Sequence, residues 1–386
     1  MSRLPVPRED SFGSRLRSAA VAARVGLWLG VCFTICFATG LLSHYAQNVD
    51  HPIPFPTSPS WGYRLTQGLH VTTGTAAVPL LLVKLWAVYP KLFARPPRGL
   101  RRLAVEGLER ASIAVLVATA IFQLASGLLN SAQWYPWAFS FRATHYALAW
   151  VAIGALVVHV AVKLPVIRAA LGADVDDTAL DRPSATRVGA VSRRGLLRTT
   201  WLAAGVAVLA TAGSSVPLLR RVSVLGVRSG DGPGGVPVNK SARAAGVTAS
   251  ATSASYVLEV VVAGTTHRWS RDDLLALPQR TETLPIACVE GWSAEGTWTG
   301  VRLRDLLDLA GAPAGADVEV TSLQESGPFR VTRLQANFAD DDRTLLALGL
   351  AGEPLSLDHG YPARVIAPNR PGVLQTKWVR RLEVLA

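Results

Sequence analysis

The chain has 386 residues, 49% of them hydrophobic and 17% charged. That balance is too apolar for an average soluble protein of two or three domains and points to a membrane fraction. The net charge of +12 is unevenly spread, because residues 251–386 hold 13 Lys/Arg against 17 Asp/Glu. The basic excess therefore lies in the apolar N-terminal part, where it orients membrane segments, and nucleic-acid binding is excluded as its explanation.

Five apolar runs are long enough to cross a bilayer, which takes about 20 helical residues. They are Val25–Ser43, Leu69–Val88, Ala111–Leu129, Ala143–Val166 and Thr199–Leu219. The flanks sort by charge. Basic residues crowd the N-terminus (Arg3, Arg8, Arg15, Arg17, Arg24), the second-to-third connection (Lys91 to Arg110) and the segment before the fifth run (Arg168 to Arg198). The connections near 45–67 and 130–142 carry only Arg64 and Arg142 and are rich in Trp, Tyr and Pro. The positive-inside rule then predicts a plasma-membrane protein with a cytoplasmic N-terminus and everything after residue 220 outside, Arg220 and Arg221 being a mild departure.

Cys32 and Cys36 sit inside the first run and read as small apolar residues. Histidine in a membrane helix is costly and marks a functional position by default. His70 opens the second run, His145 opens the fourth, and His159 follows almost four turns later on the same face. His70 and His145 fall at one depth near the outer leaflet. There they can clamp a haem iron axially, or serve as interfacial helix-end histidines that bind nothing. This pattern resembles the four-helix membrane b-type cytochromes, such as the cytochrome subunit of formate dehydrogenases. The resemblance implies that His70 and His145 ligate an outer haem b and that His159 is half of a second, inner site. The partner expected on the first helix is missing between Val25 and Phe33; Lys84 lies at that depth but would be an unusual ligand, and His44 is a spare candidate for the outer site.

Ser192-Arg193-Arg194-Gly195-Leu196-Leu197-Arg198 precedes the fifth run, and Ala210-Thr211-Ala212 lies near its end. This resembles an internal twin-arginine export signal, which implies a translocase that carries domains already folded around a cofactor. Cleavage would separate the domain from its membrane partner, so retention is expected. Ordinary positive-inside basic residues are the alternative.

Residues 220–255 are rich in Gly, Ser, Ala and Pro and read as a lead-in. Strands are predicted at Tyr256–Ala263, Leu284–Cys288, Asp317–Ser322, Gly327–Thr332, Leu355–Leu357, Ala363–Ala367 and Val379–Val384. Short helices are predicted at Trp269–Leu277, capped by Ser270, and at Val301–Leu309. Mixed short strands and helices imply an α+β domain over 256–386. Cys288 is the only cysteine after residue 36, so an exported domain has no disulfide partner for it. A soft thiolate suits a soft, high-valent metal. Arg364, Arg370 and Lys377 form a basic cluster in an otherwise acidic domain, as a buried phosphate requires.

Three stretches carry a second resemblance: Cys288-Val289-Glu290-Gly291-Trp292, Trp298-Thr299-Gly300-Val301, and His359-Gly360-Tyr361-Pro362-Ala363-Arg364 with Pro368-Asn369-Arg370 and Lys377-Trp378-Val379. Together they are similar to the sulfite oxidase family of molybdopterin enzymes, which includes the periplasmic methionine sulfoxide reductase catalytic subunit. The resemblance implies that Cys288 ligates molybdenum and is the catalytic metal ligand. It implies cofactor contacts from His359, Arg364, Arg370, Gln375, Thr376 and Lys377, with Ser322 and Asn239 as further contacts. No second, immunoglobulin-like domain and no soluble haem domain is recognisable.

The expected architecture is a membrane helical bundle followed by a sulfite-oxidase-type α+β domain. Its parts are a cytoplasmic N-terminus (1–24), a four-helix cytochrome-b-like domain (25–170), a cytoplasmic segment (171–198), a fifth anchoring span (199–219), the lead-in (220–255) and the molybdopterin domain (256–386). The expected function is oxygen-atom transfer on a small S- or N-oxide, or on a sulfite-like anion, outside the membrane. Electrons would be exchanged with the quinone pool through haem b. Two rivals stand beside it: a pterin-binding sensor or assembly protein without catalysis, and the same enzyme on a haem-free anchor.

Overall fold

The computed structural model describes residues 7–49, 55–95, 97–226 and 232–385. Arg3 of the basic N-terminus and residues 227–231 of the lead-in lie outside them. Five helices are long and apolar enough to cross a membrane. They are α1 (Ala19–Ala46), α2 (Gly62–Val88), α3 (Leu100–Ser131), α4 (Phe141–Gly172) and α5 (Arg193–Thr211). Each encloses most of a predicted apolar run. Leu82, Val157 and Leu202 point outward, as apolar side chains do on helices whose solvent is lipid. Pro79 in α2 and Pro165 in α4 sit inside helices, a placement membrane helices tolerate.

The chain divides into two compact units. The first comprises Met1–Ala38 and His70–Thr211; the second comprises Thr39–Leu69 and Ala212–Ala386. The connection between the first two spans thus belongs to the same unit as the C-terminal domain. Phe55 and Tyr63 are buried members of that unit's main core. Asn369 binds the same connection, accepting from the Tyr63 backbone N–H (2.5 Å) and donating to the Pro56 carbonyl (2.6 Å).

The C-terminal domain has ten strands among the described residues. They are β1 (Val257–Val262), β2 (Thr265–Ser270), β3 (Gln279–Ala287), β4 (Ser293–Arg302), β5 (Val318–Ser322), β6 (Val331–Leu334), β7 (Leu345–Leu350), β8 (Glu353–Pro354), β9 (Arg364–Ile366) and β10 (Val379–Val384). One sheet has the order β2-β1-β10-β5-β6; the other runs β3-β4-β7-β8, with β9 also paired to β7. Only β1 and β10 pair in parallel among the neighbours in these sheets. The core contains Leu258 and Val260 of β1, Val318 and Val320 of β5, and Leu382 of β10. Leu303, Leu306 and Leu307 of the helix Leu303–Leu309 join it, at the i, i+3, i+4 spacing that puts them on one face.

The architecture is the expected α+β one, and the differences are local. The predicted helix at Trp269–Leu277 narrows to Arg271–Ala276, with Ser270 and Asp273 forming a reciprocal cap. Trp269 instead lies in β2, paired with Leu258 of β1. The predicted strand Gly327–Thr332 moves to β6. Leu355–Leu357 is not a strand; Leu357–His359 is one turn of 3-10 helix. The described lead-in contains short helices at Ala242–Ala245 and Thr248–Ala251, and Ala242, Val247 and Ala251 are buried in one cluster with Trp378.

Candidate functional site

Cys288 begins the connection from β3 to β4. Its backbone N–H donates to the Trp292 carbonyl (2.9 Å), and Gly291 N–H donates back to the Cys288 carbonyl (3.1 Å). Gly291 takes φ +76°, a left-handed conformation that glycine reaches without steric cost. This closed turn holds the thiol in the interior, 2% exposed and in no disulfide. Behind it, a Cβ on Gly372 would come within 2.7 Å of the Ala287 carbonyl, so only glycine allows the 372 backbone so close to the thiol's neighbour.

His359 ends the 3-10 turn, which Ser356 caps by accepting from the His359 N–H (3.2 Å). Gly360 follows at φ +111° and returns the chain toward β9. Arg364 opens β9, donating to the carbonyls of His359 (2.9 Å) and Gln375 (3.3 Å). Lys377 donates through Nζ to the carbonyls of Lys240 (2.7 Å) and Asp358 (2.8 Å).

These side chains meet at a small cavity. Cys288, His359, Arg364, Lys377 and Asn239 line it together with Trp292, Gly372, Ile286, Val236 and Pro237. Burial, then the charges of Arg364 and Lys377, hold the His359 imidazole down to about 4. Burial lowers Arg364 to about 9. Lys377 falls to about 7 through burial and then Arg364, opposed by Asp358, Cys288 and Glu290. Neither Arg364 nor Lys377 forms an ion pair among the described residues, and His359 Nε2 and Arg364 Nε are buried without hydrogen-bond partners. Buried cations are ordinarily paired, so this cavity is built for an anionic ligand.

Arg370, Gln375, Thr376 and Ser322 do not line the cavity. Arg370 donates to the Leu374 and Arg333 carbonyls and is buried, which lowers it to about 9. Gln375 donates to the Arg370 carbonyl (3.1 Å) and accepts from Ala367 N–H (3.2 Å). Thr376 shares a hydrogen bond with Thr332 (2.7 Å), and the Ser322 hydroxyl donates to the Lys377 carbonyl (2.8 Å). These residues build the loop that presents Lys377. Conversely, Val236, Pro237, Ile286 and Gly372 line the cavity without having been singled out.

In the membrane-type unit, the rings of His70 on α2 and His145 on α4 have centroids 6.4 Å apart. With metal–imidazole nitrogen bonds of about 2 Å on each side, two axial imidazoles place their ring centres on the order of 6 Å apart. Ser126 lies 3.1 Å from His145 Nδ1, which leaves Nε2 for a metal. His159 has no second histidine ring against it among the described residues; it lies near Lys84, Lys163 and Glu109. Lys84 itself donates to the Ala22 carbonyl (2.8 Å). His44 packs its ring edge-on against Tyr45.

No group of three or more His, Cys, Asp or Glu side chains among the described residues is placed to hold a bare metal ion. A metal at Cys288 would therefore bring other ligands with it. A buried thiol beside a cation-lined cavity defines the class: a domain that binds an anionic, metal-bearing organic cofactor. Residues 245–386 match the family model for the oxidoreductase molybdopterin binding domain. The chain is similar to the putative protein-methionine-sulfoxide reductase subunit YedZ1 of Azospira oryzae, 32% identical over 133 residues that cover 34% of this chain and 50% of that protein. It is 31% identical over 115 residues to the uncharacterized oxidoreductase YuiH of Bacillus subtilis, covering 30% of this chain and 57% of YuiH. Sulfite oxidase of Arabidopsis thaliana is 35% identical over 148 residues, covering 30% of this chain and 37% of that protein. The chain thus spans about half the length of the first two relatives.

Proposed function

We propose that the protein is a membrane-anchored molybdopterin oxidoreductase. It transfers an oxygen atom to or from a small S- or N-oxide, or a sulfite-like anion, outside the membrane and exchanges electrons with the quinone pool through one haem b. The observation that carries this reading is the meeting of the Cys288 thiol with His359, Arg364 and Lys377 in one cavity, with no ion pair to either cation among the described residues.

When bound, the molybdenum cofactor supplies the two-electron oxygen-atom chemistry. Cys288 would be its protein ligand. Arg364 and Lys377 would hold the pterin phosphate, Lys377 as a point charge and Arg364 as a fixed fork. His359 is neutral at pH 7 and has an unsatisfied Nε2, so it can exchange hydrogen bonds with the pterin; Asn239 offers an amide on the same wall. Trp292 and Ile286 keep water from the thiol. In the helical unit, His70 and His145 would be the axial haem ligands, a reading supported by their ring separation.

The basic flanks of the spans support a cytoplasmic N-terminus and an extracytoplasmic C-terminal domain. For export, Arg193-Arg194 would be read by the twin-arginine translocase before the chain packs, because Arg193 is buried in the folded unit in an ion pair with Asp181. The test is turnover coupled to haem. In purified protein with chemically reduced haem, an S-oxide or N-oxide should reoxidise the b-type band, or sulfite should reduce it. A molybdenum-loaded protein without turnover on any of these would support the non-catalytic sensor. Turnover without a b-type band would support the haem-free anchor.

A further inference from the structure

The Cys288 turn is closed by two backbone hydrogen bonds of its own and gripped from outside at the Gly291 carbonyl. Within it, Cys288 N–H reaches Trp292 and Gly291 N–H reaches Cys288, so the Gly291 carbonyl faces outward. Two buried hydroxyls converge on that oxygen: Ser214 Oγ at 3.2 Å, and Ser215 Oγ. They are 6% and 2% exposed. One residue past the turn, Arg220 Nη2 donates to the Ser293 carbonyl (3.0 Å). The grip therefore comes from residues 212–223, just beyond α5.

That segment is folded tightly enough to act as a clamp. Ser215 and Val216 N–H both donate to the Ala212 carbonyl (3.0 and 2.8 Å), and Ser223 N–H donates to the Leu219 carbonyl (3.0 Å). Gly213 N–H donates to Ser223 Oγ (2.7 Å). A Cβ on Gly213 would lie 2.8 Å from the Leu219 carbonyl, so a side chain there would force the turn open.

We propose that Ser214 and Ser215 are positioning residues for the Cys288 thiolate. They fix the Gly291 carbonyl, and through the closed turn they fix the direction in which the sulfur meets the metal. Outer groups that orient a metal ligand are typically worth about 10–100-fold in affinity or activity. The two hydroxyls touch neither the cavity nor a substrate, so their effect must pass through the Cys288 turn. The inference rests on the assignment of Cys288 as the metal ligand. Its first measurement does not require the metal.

The experiment compares the full-length parent with Ser214→Ala/Ser215→Ala and with Ser215→Thr, which keeps the hydroxyl. In metal-free protein, alkylation of Cys288 by iodoacetamide, followed on its peptide by mass spectrometry, should be about tenfold faster in the alanine variant and near the parent rate in Ser215→Thr. In loaded protein, the alanine variant should retain molybdenum but shift its Mo(V) resonance and lower kcat with KM little changed. Parent-like alkylation together with a parent-like resonance in the alanine variant would overturn the proposal. Should the double variant fail to fold, Ser214→Ala alone gives the same two readings, and unchanged values there overturn it equally. A parent that binds no molybdenum would remove the functional reading, while the alkylation comparison would still decide the clamp.

Discussion

The guanidinium of Arg364 lies 4.8 Å from the ring centre of Trp298. Trp298 is fully buried in the middle of β4, and Gly296 makes room for it, since a Cβ there would stand 2.7 Å from the indole. The indole face partly compensates a buried cation that has no ion pair among the described residues and whose Nε is left without a hydrogen-bond partner. Trp298→Ala should cost about 3–5 kcal/mol of domain stability by cavity formation. Arg364→Lys should be milder for the fold but should lower cofactor content about tenfold or more, because a point charge cannot replace a bidentate fork. Thermal unfolding and metal content on the same preparations check the pair; equal molybdenum in Arg364→Lys and the parent would contradict it.

Lys377 gives the ligand-free domain a defined pH dependence. Its folded value of about 7 lies below the ordinary 10.5. Between those values the unfolded chain binds more protons, so stability should rise with pH from about 7 to about 10. His359 acts in a lower window. With a folded value of about 4 against 6.5, it should cost stability as pH falls from 6.5 toward 4. A bound phosphate holds Lys377 charged, so phosphate affinity should weaken as pH rises above 7 and binding should take up a proton. Calorimetry in buffers of different ionisation enthalpy measures that uptake, and Lys377→Met should flatten the upper window. A parent-like slope in Lys377→Met would show that another group is responsible.

The rings of His70 and His145, 6.4 Å apart between centroids, predict a bis-histidine centre. Either His70→Ala or His145→Ala should abolish a b-type band in the reduced-minus-oxidised spectrum, whereas His159→Ala should leave it. Loss of the band in His159→Ala alone would mean that the haem sits elsewhere.

The Arg-Arg pair supports two readings that one comparison separates. Arg193 is buried, ion-paired with Asp181, and donates to the carbonyls of Arg15, Val175 and Asp177, while Arg194 pairs with Asp174 and Asp176 on the surface. If the pair is an export signal, Arg193→Lys with Arg194→Lys should leave the C-terminal domain inside, while Asp181→Asn should export normally. Protease protection of spheroplasts reads both. Equal export of all three proteins would leave the pair with only a structural role.

The spans were legible because about twenty uninterrupted apolar residues admit few alternatives in a chain this basic at its flanks. The site was legible where chemistry forces residue type, at Cys288, His359, Arg364 and Lys377. The hydrogen bonds of Arg370, Gln375 and Thr376 to Arg333, Leu374, Arg370 and Thr332 could not be read from sequence, because they depend on where β6 and the 370–376 loop pack. Strands β4 and β7 left no usable pattern. Ser293–Arg302 carries Gly296 and Gly300 where strand formers are expected, because neighbouring atoms occupy the space of a side chain at both. Leu345–Leu350 is Leu/Ala-rich and buried along most of its length, so neither alternation nor β-branching marks it. The place of residues 55–64 in the C-terminal unit was equally hidden, since it depends on Asn369, some 300 residues away, bonding Tyr63 and Pro56.

Metal and pterin analysis of the detergent-purified full-length protein, made in cells that synthesise the molybdenum cofactor, tests the central claim most directly. The account predicts about one molybdenum with its pterin per chain in the parent, and loss of both in Lys377→Met combined with Arg364→Ala. A folded parent carrying neither molybdenum nor pterin would contradict it.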